Sequence, residues 1–96
     1  MCKSELFNLT LNAVSQEMEI AAKRILSHDM DSEVVDARHL LIRILTARGL
    51  YSSEVARLIG CTRRTVTHVL THFDERLARS WIMRRAWEKI GKPSGN

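Results

Sequence analysis

Arg63 and Arg64 stand side by side just after Thr62, and Thr67, His68 and Thr71 follow at intervals of three and four residues. On a helix that spacing gathers them on one face. A guanidinium fork can grip a guanine edge, or a phosphate, with two parallel hydrogen bonds. Threonine and histidine one turn deeper can touch base edges or a thymine methyl group. These side chains therefore suit nucleic-acid recognition. Two arginines in a first helical turn oppose the helix macrodipole, so helix stability does not account for them. Metal binding is the competing use, because His68 and His72 are four apart, a spacing that can hold zinc. The only further ligand nearby is Cys61, a small residue expected to be buried, and no H-E-x-x-H glutamate is present. No metal and no other cofactor are expected.

Placing such a face in a DNA groove takes two helices that cross steeply over a short turn. The first helix needs a small residue where the second crosses it, and the turn needs a glycine that accepts positive φ. From Ser52 onward Ala56 and Gly60 meet those needs, and Val55, Ile59, Cys61, Val66 and Val69 supply the apolar offsets. Thr62 is the natural cap of the second helix, and Ser52 or Ser53 of the first. A helix-turn-helix over about 52–73 is predicted. With Val66, Val69 and Leu70 turned inward, Thr62, Arg63, Arg64, Thr67, His68 and Thr71 face the groove. Ser52, Ser53 and the backbone N–H groups beside them suit a phosphate clamp, with Arg48 and Tyr51 as backbone contacts just before it.

The elements that carry this motif are also helical. Leu11, Val14, Met18, Ala21 and Ile25 form a stripe that predicts one acidic helix over 5–27. A second helix over 33–48 starts at a Ser32 cap, buries Val34, Ala37, Leu41, Ile44 and Leu45, and ends at Gly49. Asp36, His39 and Arg43 fall on its solvent side. No glycine or proline interrupts 61–90, but the stripe drifts near Ala78–Trp81, which favours two helices with a bend near Asp74 and a basic helix over 74–90. Residues 91–96 read as a disordered tail. The expected fold is all-α, one compact domain over 1–90 of four to five helices containing the helix-turn-helix.

The totals agree with that class. The chain has 96 residues, 45% of them hydrophobic and 27% charged, which is enough for one modest core without disulfide or metal. Its two cysteines, Cys2 and Cys61, form no C-x-x-C motif. The start has no apolar signal-peptide core and no apolar run is long enough to span a bilayer, so a cytoplasmic protein without a membrane partner is expected. Residues 1–33 hold three cations against six acids, net −3, and residues 34–96 hold twelve against five, net +7. A basic surface on the last two-thirds of the chain favours a polyanion. No phosphate loop, G-x-S-x-G or spaced carboxylate pair appears, so neither an enzyme nor a small-molecule substrate is expected.

Short motifs add a family resemblance. Val35-Asp36-Ala37-Arg38-His39 looks like V-x-A-R, Leu45-Thr46 like L-T, Ser53-Glu54-Val55 like P-E-I, and Thr65-Val66-Thr67-His68 like T-V-x-H. In these pieces the stretch from Val35 to Phe73 resembles the DNA-binding C-terminal domain of the bacterial replication initiator DnaA, in the Trp-repressor-like helix-turn-helix group. The family's G-R-D-H-T-T-V is Gly60-Cys61-Thr62-Arg63-Arg64-Thr65-Val66 here, so the Asp-His pair that reads its origin repeat is replaced. No Walker pattern is present. The resemblance implies a shared fold with a changed target: double-stranded DNA bound by a small transcription regulator, or by an accessory factor of replication or of a mobile element. The rival is a protein-interaction module using the same fold, with Trp81 and Trp87 in a partner surface rather than anchoring the core. A homodimer, formed through helix 1 or the C-terminal helix, would enlarge the small area one recognition helix buries.

Overall fold

The computed structural model describes residues 2–91, and within them every regular element is helical. The tail expected to be disordered lies outside the described residues, apart from Gly91. The described residues form six α-helices, α1 (Lys3–Met18), α2 (Ala22–Ile25), α3 (Ser32–Ala47), α4 (Ser52–Ile59), α5 (Arg63–Arg79) and α6 (Trp81–Ala86), followed by a π-helical turn at Trp87–Gly91.

The stripe expected on the first helix is buried at Leu11, Val14 and Met18, with Phe7 added before them. The helix does not reach residue 27. Glu19 adopts the left-handed conformation at φ 56°, the Ile20 N–H donates back to the Ser15 carbonyl at 3.1 Å, and the Ser15 hydroxyl donates to the Ile20 carbonyl at 2.6 Å. The chain then turns into α2, which buries Ile25 and leaves Ala21 exposed at the junction. Two arginines fix the loop that follows. Arg38 donates to the carbonyls of Ile25, Ser27 and Asp29 at 2.8–3.0 Å. Arg24 bonds Asp29 and Asp31, and the Asp31 N–H, followed by Arg24, holds the Asp29 carboxyl below its ordinary range.

Helix α3 is the axis of the domain, touched by α1, α2, α4, α5, α6 and the π-helical turn. It begins one residue earlier than expected, with Asp31 at the cap position and Ser32 inside the first turn. Val34, Ala37, Leu41, Ile44 and Leu45 are buried as the stripe predicts, but so are Leu40 and Ile42. The side read as solvated is covered too. Asp36 is buried and accepts Arg76 of α5 at 2.5 Å. His39 is half-buried, and the Arg43 guanidinium lies over the rings of Phe73 and Trp87 at 5.8 and 5.4 Å. Neighbours on nearly all sides leave this helix little solvent face, and polar residues on it are used as links between elements.

Gly49 ends α3 at φ 104°, where the Gly49 and Leu50 N–H groups return to the Thr46 and Leu45 carbonyls at 3.1 and 3.2 Å. This is the Schellman arrangement that glycine favours. Beyond Thr62, α5 runs unbroken through Asp74 to Arg79, so the bend expected near Asp74 is displaced to Ser80. Ser80 leaves helical geometry at φ −129°, ψ 111° and accepts the Met83 N–H at 3.1 Å to cap α6. Arg84 reaches back to the Leu77 and Ala78 carbonyls at 3.1 and 2.7 Å, satisfying the end of α5. Met83, Ala86 and Gly91 are buried, and Trp87 meets Phe73 edge-on at 5.2 Å. The two tryptophans thus divide: Trp87 anchors the core, and Trp81 is 61% exposed with Arg85 over its ring.

Candidate nucleic-acid interface

The turn between α4 and α5 is Gly60-Cys61-Thr62. Gly60 takes φ 89°, and the N–H groups of Gly60 and Cys61 both return to the Ala56 carbonyl, at 2.8 and 2.9 Å. Ala56 is buried, as is Val55 beside it, while Ile59 and Cys61 pack half-buried against the core. Burial pushes the Cys61 thiol up from its ordinary range, which suits a packing residue rather than a reactive one. The Thr62 hydroxyl accepts the Thr65 N–H at 3.1 Å and so caps α5.

Val66, Val69 and Phe73 are buried along α5, and Leu70 and Leu77 pack half-buried beside them. That contact fixes the rotation of the helix. Arg63, Arg64, Thr67, His68 and Thr71 are all exposed, on the face the sequence assigned to them. The Thr67 hydroxyl donates to the Arg63 carbonyl at 3.0 Å and the Thr71 hydroxyl to the Thr67 carbonyl at 2.9 Å, so each presents its lone pairs and methyl group outward from a settled rotamer. Among the described residues no carboxylate pairs with Arg63 or Arg64. Two cations at the positive end of a helix, unneutralised by any side chain, leave a local excess of charge open to an anion.

The start of α4 differs from expectation. Tyr51 occupies the cap position, and Ser52 and Ser53 lie within the first turn. Glu54 replaces a serine cap, with its Oε1 accepting the Tyr51 N–H at 2.8 Å. Its Oε2 pairs with Lys3 of α1, and Lys3 beside it holds the Glu54 carboxyl below its usual range. Ser53 and Tyr51 remain exposed, Tyr51 at 75%, and Ser52 is half-buried. Arg48 is engaged elsewhere: its guanidinium donates to the Thr10 hydroxyl at 3.1 Å and to the Ile90 carbonyl at 3.0 Å. It joins the first helix to the last turn, and the structure does not bring it to the face of α5.

Reading the sequence missed Arg57, which is exposed on α4 one turn beyond Ser53. The i, i+4 spacing from Ser53 was the available signal. It also missed what stands beside His68. The rings of His68 and His72 lie 4.4 Å apart, tilted by 49°. With His39 of α3 and Glu75, Arg76 and Arg79 of α5 they border a cleft of about 230 Å³. Among the described residues no three histidine, cysteine, aspartate or glutamate side chains gather as a metal site.

The Nδ1 atom of His39 is buried without a hydrogen-bond partner, and burial, with Arg76, Arg38, His68 and His72 nearby, pushes its pKa from 6.5 down to about 4. The folded protein thus holds this ring neutral while the unfolded chain protonates it at pH 6.5, so stability is full above that value and falls as pH drops toward 4. Between pH 7 and pH 5 the loss should be about 1 kcal/mol, reduced from the full linkage because water still screens the half-buried ring. Urea unfolding at the two pH values checks this. His39→Leu should flatten the difference, and an unchanged slope in that variant would assign it to other groups.

No helix among the described residues is long and apolar enough to cross a membrane. Comparison of the chain with protein-family models, curated proteins and solved structures finds no match, so the arrangement of α4, its turn and α5 is the ground on which function has to be judged.

Proposed function

We propose that the protein binds double-stranded DNA through a helix-turn-helix made of α4, the Gly60-Cys61-Thr62 turn and α5, with α5 entering the major groove by its N-terminal end. The observation that carries this reading is the pair Arg63 and Arg64, exposed and without an acidic partner on a helix whose rotation is set by Val66, Val69 and Phe73. Thr62, Thr67, His68 and Thr71 extend the base-reading face, and Ser52, Ser53, Tyr51 and Arg57 flank it as backbone contacts. The resemblance to the DnaA DNA-binding domain agrees with this use. The changed residues after Gly60 give the protein its own target, as a small transcription regulator or as an accessory factor of replication or of a mobile element.

Binding of mixed-sequence duplex DNA, followed by fluorescence anisotropy over a salt series, tests the proposal. The affinity should fall steeply with salt, with a logarithmic slope of about 0.9 per neutralised phosphate. Absence of binding at low salt would sink it and leave a protein-interaction module. One observation favours that second reading: Trp81 and Ile82 are 61% and 45% exposed on α6.

A further inference from the structure

A second polar surface runs along α5, beside the face that begins at Arg63 and Arg64. His68, His72, Glu75 and Arg79 recur at intervals of three and four, so they line one edge of the helix. His39 of α3 stands opposite, and with Arg76 these residues enclose the cleft of about 230 Å³. A second cleft of about 280 Å³, bordered by Ser32, Asp36, Arg76, Arg79 and Ser80, shares two arginines with the first. Together the two make one groove between α3 and α5.

The groove is organised for an anion. Asp36 bonds Arg76 through Nε alone at 2.5 Å, which fixes the guanidinium plane and leaves both Nη groups without a hydrogen bond among the described residues. Glu75 is shared loosely, 3.7 Å from His72 Nδ1 and 3.9 Å from Arg79, too long to be hydrogen bonds. His39 carries a buried Nδ1 with no partner. Burial first, and the charge of Arg76 and Arg38 after it, keep that ring neutral. A phosphate would find an oriented guanidinium, a second arginine held only weakly, and two neighbouring imidazoles tilted against each other.

Resting on the DNA reading above, we propose that this groove seats a backbone phosphate of the same duplex, with His72 and Arg79 as donors and Arg76 oriented by Asp36 as the third. The contact lies C-terminal to the base-reading residues on the same helix, so it sets the depth and angle at which α5 sits. An anion bound against an imidazole attracts a proton to the ring, so binding through this groove should strengthen as pH falls. The charged and titratable groups bordering the cleft with those two rings are His39 from α3, and Glu75, Arg76 and Arg79 from α5 itself. Glu75 opposes the phosphate and must release Arg79 to admit it.

Anisotropy titrations of a mixed-sequence duplex at pH 6 and pH 8, over a salt series, test this with four proteins. Wild type should bind more tightly at pH 6. His72→Gln/Arg79→Gln should lose about tenfold in affinity, shed about one unit of salt slope and lose much of the pH difference, with its circular dichroism unchanged. Glu75→Gln should bind several-fold more tightly, and Asp74→Asn, the same charge change at an exposed position outside the groove, should gain less. If the His72/Arg79 variant matches wild type in slope and pH dependence while wild type binds DNA, the groove is not a phosphate seat and the base-reading assignment stands. Equal gains from Glu75→Gln and Asp74→Asn would likewise reduce the effect to net charge and overturn the proposal. If wild type binds no DNA, both readings fall together.

Discussion

Arg63→Ala/Arg64→Ala should bind duplex DNA about a hundredfold more weakly than the wild-type protein at low salt, with a salt slope shallower by about two. Each guanidinium is exposed and free of acidic neighbours, so its charge is available in full to a phosphate or a guanine edge. Losing two such contacts, each of about 1–3 kcal/mol, gives an effect of that size. The fold should respond in the opposite direction. Both cations sit in the first turn of α5, where the macrodipole disfavours them, and their removal should stabilise the domain by about 0.5 kcal/mol or slightly more. Opposite signs for affinity and stability separate a functional pair from a structural one. Anisotropy and urea unfolding on the same preparation read both, and unchanged affinity would move the contact to other arginines.

Phe73→Ala should be the most damaging single substitution on α5. The ring is 2% exposed, meets Trp87 edge-on at 5.2 Å and lies under the Arg43 guanidinium. Truncating a buried phenylalanine typically costs about 3–5 kcal/mol. A domain of 96 residues has a total stability of only about 5–14 kcal/mol. The thermal midpoint should therefore fall by roughly 15–30 °C. Tryptophan fluorescence also reports the change, because Trp87 loses its cover while Trp81 is already exposed. A midpoint within a few degrees of wild type would mean that Phe73 is not the joint between α5 and the closing turn. Phe73→Leu should retain much of the lost stability.

The parts of this structure that could be read from sequence are those where one local rule decides. The glycines at 49 and 60 take positive φ because the helices before them need that exit, and Val66 and Val69 face inward because their spacing matches the helical period. The exposed face of α5 follows from the buried one. What could not be read depends on neighbours. Nothing in the residues around Glu19 announces a left-handed turn, which is held by two bonds between Ser15 and Ile20. Asp36 looks solvated on a helical wheel and is buried because Arg76 arrives from forty residues away. Tyr51 displaces Ser52 and Ser53 from the cap because Glu54 closes the turn and Lys3 holds Glu54 from the side. The break at Ser80 was visible as a drift in the apolar stripe. Its position was not, because it depends on Arg84 reaching back to the end of α5.

Arg48 binds Thr10 in the first helix and the Ile90 carbonyl in the last turn, and Lys89 lies 3.7 Å from Glu17. The two extremities of the described chain are therefore fastened to each other across the axis of α3. During synthesis α1 emerges before α3, its main packing partner, and α6 and the closing turn, to which it is also tied, follow only later. The nascent domain must wait with Phe73 partly uncovered until Trp87 clears the exit tunnel, and only then can it close in one cooperative step. A stalled chain ending before Trp87 should stay sensitive to protease on the ribosome, and one extended by a linker long enough to free Gly91 should become resistant.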